Sequence, residues 1–297
     1  MSEIESLYEW DVDVARLAQM RDRLRRRPEY PAAARRLASA LLRDADEDAA
    51  LGGLLRDAGR TVAGLSAAYL SASGGVTLAR LKTFIAGFGL VSPGRARALL
   101  SYMRYLGYLE LDPASGAARR KSYRLTPQFR ASYAQHEASL LEAAAVVEPA
   151  AGIVLRNLAA PGVLDALVVE QGDAFVAGSS QASAFDDFYR IFMHRLAGIQ
   201  ILHGLVAKAP GFPPAAPIPF SVSETARRFH VSRIHVSRII KDAGLHGFVE
   251  LEPGTLRFTQ AGREALDWLY ASRLCVHLAC AARTLKANPQ LVMRVAV

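Results

Sequence analysis

The sequence has few cysteines and no long uncharged hydrophobic run, and both absences narrow the class of protein. Its two cysteines, Cys275 and Cys280, lie in one apolar stretch near the C-terminal end. Two thiols do not make a disulfide framework, so we expect a reducing, cytoplasmic environment. No apolar run of about 18 residues is free of charge, and the acidic beginning of the chain is unlike a secretory signal. The sequence therefore predicts neither export nor membrane insertion.

Signatures of the common enzyme classes are missing as well. The chain contains no Gly-x-Ser-x-Gly, His-Glu-x-x-His or Cys-x-x-Cys motif, and the glycines of GFGLVSPG follow no predicted strand. Cys275, His277 and Cys280 carry metal-binding atoms, but no fourth ligand is nearby and their apolar surroundings favour a buried helix. We therefore predict no enzyme, no cofactor and no metal site.

The charge of the chain points toward an anionic partner. Lysine and arginine number 36 against 28 acidic residues, which gives a net charge of +8. The chain has 297 residues, of which 51% are hydrophobic, so it is long enough to bury more than one core. These features predict a large soluble protein that binds an anion such as nucleic acid.

An internal repeat gives the chain its organisation. Residues 91–125 resemble residues 231–258 at an offset of 140, which aligns Ser92 with Ser232 and Gly107 with Gly247. Further on, Thr126 aligns with Thr259 at an offset of 133, so the first copy has seven extra residues. These residues fall between two strand-like runs, where a hairpin loop tolerates insertion.

Each copy predicts a helix, a turn, a second helix, a strand, a hairpin, a strand and a final helix. We expect Thr83 and Ser223 to cap the first helices, and Ser92 and Ser232 to cap the second helices. Residues at helical spacing predict the buried faces of the second helices: Ala96, Leu99, Leu100 and Met103 in one copy, and Val236, Ile239, Ile240 and Ala243 in the other.

The stretch SETARRFHVSRIHVSRIIKDAGLHGFVEL resembles bacterial winged helix-turn-helix regulators. The stretches ARRKSYRLTPQFR and LRFTQAGREAL are similar to the wing and following helix of the multiple-antibiotic-resistance regulator family. The resemblance covers about 50 residues in each copy. It implies a mainly α-helical fold with small β-wings, in which two tandem winged helix-turn-helix modules are joined by a helical scaffold. One chain would then imitate a dimer.

Other properties of the resembled family extend these expectations. Its helices outside the winged domain form a dimer interface, so the resemblance also admits a homodimer of this chain. Small aromatic or phenolic ligands bind between that interface and the DNA-binding lobe, so it admits a small-molecule effector. No residue in the sequence identifies such a ligand.

The repeat divides the chain into five predicted parts, with a glycine-rich linker at 71–75 and a proline-rich linker at 209–219. The parts are an N-terminal helical segment (1–60), a first winged module (61–131), a central helical segment (132–210), a second winged module (217–265) and a C-terminal helix (266–297). Within the central helical segment, residues 183–208 predict one long helix.

Candidate DNA-binding residues lie on the second helix of each copy and on the first hairpin. Long donors on a face opposite the core suit base edges and phosphates. In the second copy they are Arg233, Ile234, His235, Ser237, Arg238 and Lys241. In the first copy they are Arg95, Arg97, Ser101 and Arg104, together with Arg119, Arg120, Lys121 and Arg124 of the wing.

These residues favour a sequence-specific transcriptional regulator of double-stranded DNA. The alternative at the residue level is a merely solvated basic face. At the level of function, a replication initiator also uses tandem winged helices on DNA, and a chromosome-organising adaptor uses them against protein. The adaptor does not explain the basic faces, and selection of bound sequences from random duplex DNA distinguishes all three.

Overall fold

The computed structural model describes residues 3–11, 16–87, 92–115, 121–178 and 185–293. Most of them are helical, and their strands form two small antiparallel sheets of three strands each. The prediction of a mainly helical fold with small β-structures is therefore confirmed. Within the described ranges, no helix is both long and apolar enough to cross a membrane.

The described residues form the following helices and strands. The helices are α1 (Glu3–Tyr8), α2 (Leu17–Arg25), α3 (Tyr30–Glu47), α4 (Ala49–Leu54), α5 (Ala58–Ala72), α6 (Leu78–Ala86), α7 (Pro93–Tyr105), α8 (Pro127–Val147), α9 (Ala151–Arg156), α10 (Val163–Gly178), α11 (Asp186–Phe192), α12 (Gly198–Lys208), α13 (Val222–Arg228), α14 (Arg233–Leu245), α15 (Gln260–Ala287) and α16 (Gln290–Met293). The strands are β1 (Val76–Thr77), β2 (Leu109–Leu111), β3 (Ser122–Leu125), β4 (Ile218–Pro219), β5 (Val249–Glu252) and β6 (Thr255–Phe258).

Two units in this chain have the same element order and the same sheet order. The N-terminal unit runs β1, α6, α7, β2, β3, α8, and the C-terminal unit runs β4, α13, α14, β5, β6, α15. Their sheets are ordered β1-β3-β2 and β4-β6-β5, so the last strand lies in the middle of each. The extra residues of the first copy lie between β2 and β3, where the sequence predicts them.

The hydrogen bonds after the second helix repeat between the two units. Gly107 and Gly247 follow α7 and α14 with φ angles of 74° and 72°, a conformation that glycine adopts without strain. The next amide turns back onto the helix: Tyr108 N donates to Met103 O at 2.9 Å, and Phe248 N donates to Ala243 O at 2.8 Å. The repeat found in the sequence is thus present in the backbone geometry.

The capping residues of the first helices differ from the predicted ones. Thr77 caps α6 and Ser221 caps α13, whereas Thr83 and Ser223 lie inside these helices. Thr77 is the last residue of β1, and Ser221 lies two residues after the end of β4. Strands of two residues give no periodic signal, so the sequence pattern did not mark these caps. Pro219 is accepted in β4 because this strand lies at the edge of its sheet.

The single long helix predicted over 183–208 is wrong for its described residues. The chain from 185 onward forms α11 and α12, separated by a segment that ends at Ala197 with a φ of 58°. The segment pairs instead with the α4–α5 connection: Ala197 N donates to Arg56 O at 2.8 Å, and Ala58 N donates to Met193 O at 2.7 Å. These bonds satisfy backbone groups that a continuous helix would use internally.

Two hydrophobic cores lie under the two units. One core joins α6, α7 and the sheet of the N-terminal unit to α5 and to Val168 of α10. The other joins the C-terminal unit to α1, α2, α3 and the later half of α8. Helices α5 and α15 run continuously through the predicted boundaries at 60/61 and 265/266. The central and terminal helices thus pack between and around both units.

Candidate nucleic-acid interface

Helix α14 is fixed at its start and along one face. Ser232 caps it by accepting a hydrogen bond from His235 N at 3.1 Å. His230 precedes the cap with a φ of 50° and turns the chain between α13 and α14. The predicted inward residues Val236, Ile239, Ile240 and Ala243 are all buried. Because this face is committed to the core, the opposite face of α14 is turned outward.

The outward face of α14 carries three cations and one large apolar side chain. We call Arg233, Ile234, Ser237, Arg238 and Lys241 the α14 face, and all five are exposed. Ile234 keeps 65% of its surface exposed. Within the part of the chain that the structure describes, no acidic side chain pairs with the three cations. Their charge is therefore available to an anionic partner.

His235 lies beside this face but its ring is used inside the protein. Its Nε2 is 2.8 Å from the carbonyl oxygen of Leu196, in the segment between α11 and α12. A carbonyl oxygen only accepts, so Nε2 carries the hydrogen of this bond. The sequence placed His235 among the DNA-binding residues. The structure gives it a positioning contact, because its ring ties α14 to the scaffold.

The hairpin of the C-terminal unit is not basic. Its strands carry exposed Glu250 and Glu252, and Arg257 lies 3.7 Å from Glu252. The turn between the strands is only Pro253 and Gly254, with Gly254 at a φ of 77°. Acidic groups repel phosphates, so any phosphate contact of this unit falls to its helices.

Helix α7 is the counterpart of α14 in the N-terminal unit. Ser92 caps it, and Ala96, Leu99, Leu100 and Met103 are buried as predicted. Arg97, Ser101 and Arg104 are exposed. Arg95 is exposed too, but its Nη2 lies 2.8 Å from Oδ1 of Asp57, whose side chain is only 6% exposed. Arg95 therefore compensates a buried carboxylate, a role that the sequence pattern did not indicate.

The remaining cations of the N-terminal unit differ in whether their side chains already contact another residue of the protein. Arg104 lies over the ring of Tyr123, with 5.5 Å between the guanidinium carbon and the ring centroid. Arg124 pairs across the sheet with Glu110 at 2.8 Å, but both side chains are half exposed and such pairs contribute little stability. Lys121 is exposed, while Arg119 and Arg120 lie outside the described residues.

Two arginines next to α14 were missed by sequence reasoning. Arg227 is exposed at the end of α13, one turn before α14, and no acid in the described ranges pairs with it. Arg56 donates from Nη2 to the carbonyl oxygen of Phe229 at 2.6 Å, in the turn that leads to α14. The doublet Arg227-Arg228 could have indicated the first residue. Nothing local indicates the second.

The cysteines and histidine of α15 lie in a buried environment. Cys275 and Cys280 are buried, and burial raises the pKa of the Cys275 thiol to about 12. Burial lowers the pKa of His277 to about 4, while its Nδ1 donates to Arg273 O at 2.7 Å. Among described residues, no group of three or more potential ligands is arranged to hold a metal ion.

The chain shows no detectable similarity to known proteins, since no family model, curated protein or solved structure matches it. Its function must therefore be inferred from the surfaces described above.

Proposed function

We propose that the protein is a sequence-specific DNA-binding transcriptional regulator with two unequal winged helix-turn-helix modules in one chain. In this proposal the N-terminal and C-terminal units are the modules, and α7 and α14 are their recognition helices. The observation that carries it is the α14 face, where three cations without an acidic partner among the described residues accompany an exposed isoleucine. The matching strand order and turn geometry of the two units support the tandem arrangement.

The α14 face has the side chains that a major groove requires. Arg238 reaches a guanine through two parallel hydrogen bonds, and Ile234 contacts a thymine methyl group. Arg233 and Lys241 neutralise phosphates on either side, and Arg227 on the preceding helix adds another phosphate contact. The acidic hairpin of this module repels phosphates, so the module contacts DNA through its helices. Sequence selection is then a property of α14.

The N-terminal module contributes mainly affinity. Its outward helix face carries Arg97 and Ser101, preceded by Gly94 and by Arg95, which pairs with Asp57. Short side chains and a paired arginine do not reach base edges. Arg97, Arg104 and Lys121 instead reach phosphates. One chain thus places an affinity module and a selective module on the same duplex, in the manner of an asymmetric dimer.

The proposal is tested by DNA binding at several salt concentrations. Replacing Arg233, Arg238 and Lys241 by alanine should weaken duplex binding and reduce the salt slope by about one unit for each lost phosphate contact. A matched triple variant replaces Arg36, Arg130 and Arg156, three exposed arginines elsewhere on the protein. This control removes the same charge and should change binding little. Equal losses in both variants would show that binding follows net charge rather than the α14 face.

A further inference from the structure

Large apolar side chains are exposed at the same positions of both units. In the part of the chain whose side chains the structure describes, the exposed ones are Tyr105, Leu111, Val176, Ile234, Leu245 and Leu251. At the repeat offset of 140, Tyr105 is equivalent to Leu245, and Leu111 is equivalent to Leu251. A single exposed leucine needs no explanation. Here, however, both copies of the repeat expose the same pair of positions.

The two pairs occupy the same place in the fold. Tyr105 and Leu245 end α7 and α14, and they keep 85% and 73% of their surfaces exposed. Leu111 and Leu251 lie on β2 and β5, which pack against the preceding helices. Both strands are at the edge of their sheets, and among the described residues no further strand covers their outer side. Each pair therefore lies at an uncovered border of its unit.

The outward faces of the second helices do not show this agreement. Gly94 stands where the second copy has Ile234, and Ala98 stands where it has Arg238. These differences suit the unequal DNA contacts proposed above. The apolar pair is present in both copies instead, and exposed apolar patches mark sites of contact with other molecules. The pair therefore indicates a contact that both units make.

Cations accompany the pair in the N-terminal unit. The guanidinium of Arg104 lies over the ring of Tyr123, which is the residue opposite Leu111 in the sheet. Lys121 directly precedes β3, the strand that pairs with β2. Both cations are exposed, and among the described residues no acidic side chain pairs with either. We call Arg104, Tyr105, Leu111 and Lys121 the N patch, which is apolar and basic.

The same border of the C-terminal unit is acidic. Exposed Glu250 and Glu252 lie on either side of Leu251 in the chain. Arg257 is 3.7 Å from Glu252, and no basic side chain among the described residues pairs with Glu250. Glycines 244 and 254 stand at the positions equivalent to the two cations of the N patch, at offsets of 140 and 133. We call Leu245, Glu250, Leu251 and Glu252 the C patch.

The two patches are complementary to each other and not to themselves. Two C patches in contact would bring glutamates together, and two N patches would bring cations together. An N patch against a C patch joins opposite charges around apolar side chains on both sides. Such electrostatic complementarity selects the correct partner and disfavours like-charged surfaces.

We propose that the N patch of one copy of this chain docks on the C patch of a second copy. The contact is head to tail, because it uses different surfaces of the two copies. Each pair of copies leaves one N patch and one C patch unoccupied, so further copies add in a row or close a ring. This surface differs from the dimer interface of the resembled family, which is formed by helices outside the winged domain.

Sedimentation velocity of the full chain tests the contact. The wild type should associate increasingly up to millimolar concentration, and added salt should weaken the association because the charged residues are exposed. An N variant carries Tyr105→Ser and Leu111→Ser, and a C variant carries Leu245→Ser and Leu251→Ser. Each should weaken association at least about tenfold.

A control separates the patches from exposed apolar surface in general. Val176→Ser removes an exposed apolar side chain of α10 and should associate as the wild type does. Because all the replaced side chains are exposed, we expect the variants to keep the helical circular dichroism of the wild type. A wild type that is monomeric at every concentration, or a folded N or C variant that associates normally, would overturn the proposal.

Mixing the two variants tests the head-to-tail arrangement. The N variant keeps its C patch and the C variant keeps its N patch, so each alone should remain monomeric. An equimolar mixture should form dimers of one N variant and one C variant that do not grow further. Self-association of either variant alone, or failure of the mixture to pair, would contradict the arrangement.

A separate arm rests on the proposed DNA-binding function. Arg104 and Lys121 are also proposed phosphate contacts, so a short duplex that accommodates one chain should compete with the second copy and dissociate the assembly. Association that is unchanged at saturating duplex would contradict this shared use of the cations. Absence of DNA binding would contradict the proposed function, while the mixture of variants would still decide the contact between copies.

Discussion

Arg56 and Asp57 are neighbours in the chain, yet their side chains bind different units. Arg56 donates to the carbonyl oxygens of Phe229 and His230 at 2.6 and 3.3 Å, in the turn before α14. Asp57 accepts from Arg95 of α7 at 2.8 Å and also caps α5. The α4–α5 connection thus contacts both proposed recognition elements, and it links their positions through two adjacent residues.

Removing the Arg56 contact should destabilise the protein. Arg56→Ala leaves two carbonyl oxygens without their charged donor, which we expect to lower the free energy of unfolding by about 1–3 kcal/mol. Urea denaturation measures this change. The control is Arg36→Ala, which breaks an exposed pair with Glu142 and should cost less than about 1 kcal/mol. Similar losses in the two variants would contradict a structural role for Arg56.

Arg95 and Arg97 are two residues apart on α7 and should have different effects. Arg95→Ala leaves the buried Asp57 with only Arg60, at 3.3 Å, as an ion-pair partner, so its main consequence should be lower stability, by about 1–3 kcal/mol. Arg97→Ala should leave stability nearly unchanged and weaken binding to all duplexes alike. Parallel denaturation and DNA titrations distinguish them. The assignment is wrong if Arg95→Ala weakens DNA binding without loss of stability.

The first hairpin should supply affinity rather than sequence preference. Arg119, Arg120 and Lys121 are concentrated between β2 and β3, where long side chains suit phosphates. Replacing all three by alanine should weaken binding to every duplex and reduce the salt slope by about one unit per lost contact. Titrations at several salt concentrations measure the slope. An unchanged slope would mean that the hairpin does not contact the DNA.

Acidification should destabilise the protein partly through His277. Its pKa falls from an ordinary value of 6.5 to about 4 in the folded chain because of burial. Between these values the unfolded chain binds a proton that the folded chain does not, so stability is lost as pH falls from about 7 to 4. We expect His277→Gln to reduce this loss by about 1–3 kcal/mol.

The measurement is urea denaturation of both proteins across that pH range. Some loss should remain in the variant, because burial lowers the pKa of His203 in the same direction. Superimposable pH profiles of stability in the two proteins would contradict the role of His277.

The spacing of residues that are close in sequence predicted the features that depend only on interactions within one helix or turn. The spacing of Val236, Ile239 and Ile240 identified the buried face of α14, and the opposite face followed from helix geometry. The aligned glycines Gly107 and Gly247 of the repeat follow α7 and α14 with positive φ angles. The exposure of the α14 face was therefore accessible from the sequence.

Contacts between distant residues were not accessible in this way. His235 binds Leu196, 39 residues away, and Arg95 binds Asp57, 38 residues away. Both side chains match the pattern of a DNA-binding face, and only tertiary structure shows that they are engaged. The break before α12 has the same origin, since Ala197 leaves helical geometry to pair with Arg56.

The unequal roles of α14 and α7 are the central claim, and they determine the form of the DNA site. Identical recognition helices select a palindrome, whereas the α14 face and the counterpart residues Gly94, Arg97 and Ser101 carry different side chains. The preferred site should therefore be asymmetric within the length of DNA that one chain covers. A palindrome over twice that length would indicate that two chains bind together.

Selection of bound sequences from random duplex DNA, carried out with the wild type, Arg238→Ala and Arg97→Ala, tests this claim most directly. We predict an asymmetric site for the wild type. Arg238→Ala should relax the preference at one base pair and cost about 1–3 kcal/mol on the selected site. Arg97→Ala should weaken binding without altering the preference. A perfect palindrome within one chain's footprint, a preference controlled by Arg97, or no enriched sequence would contradict it.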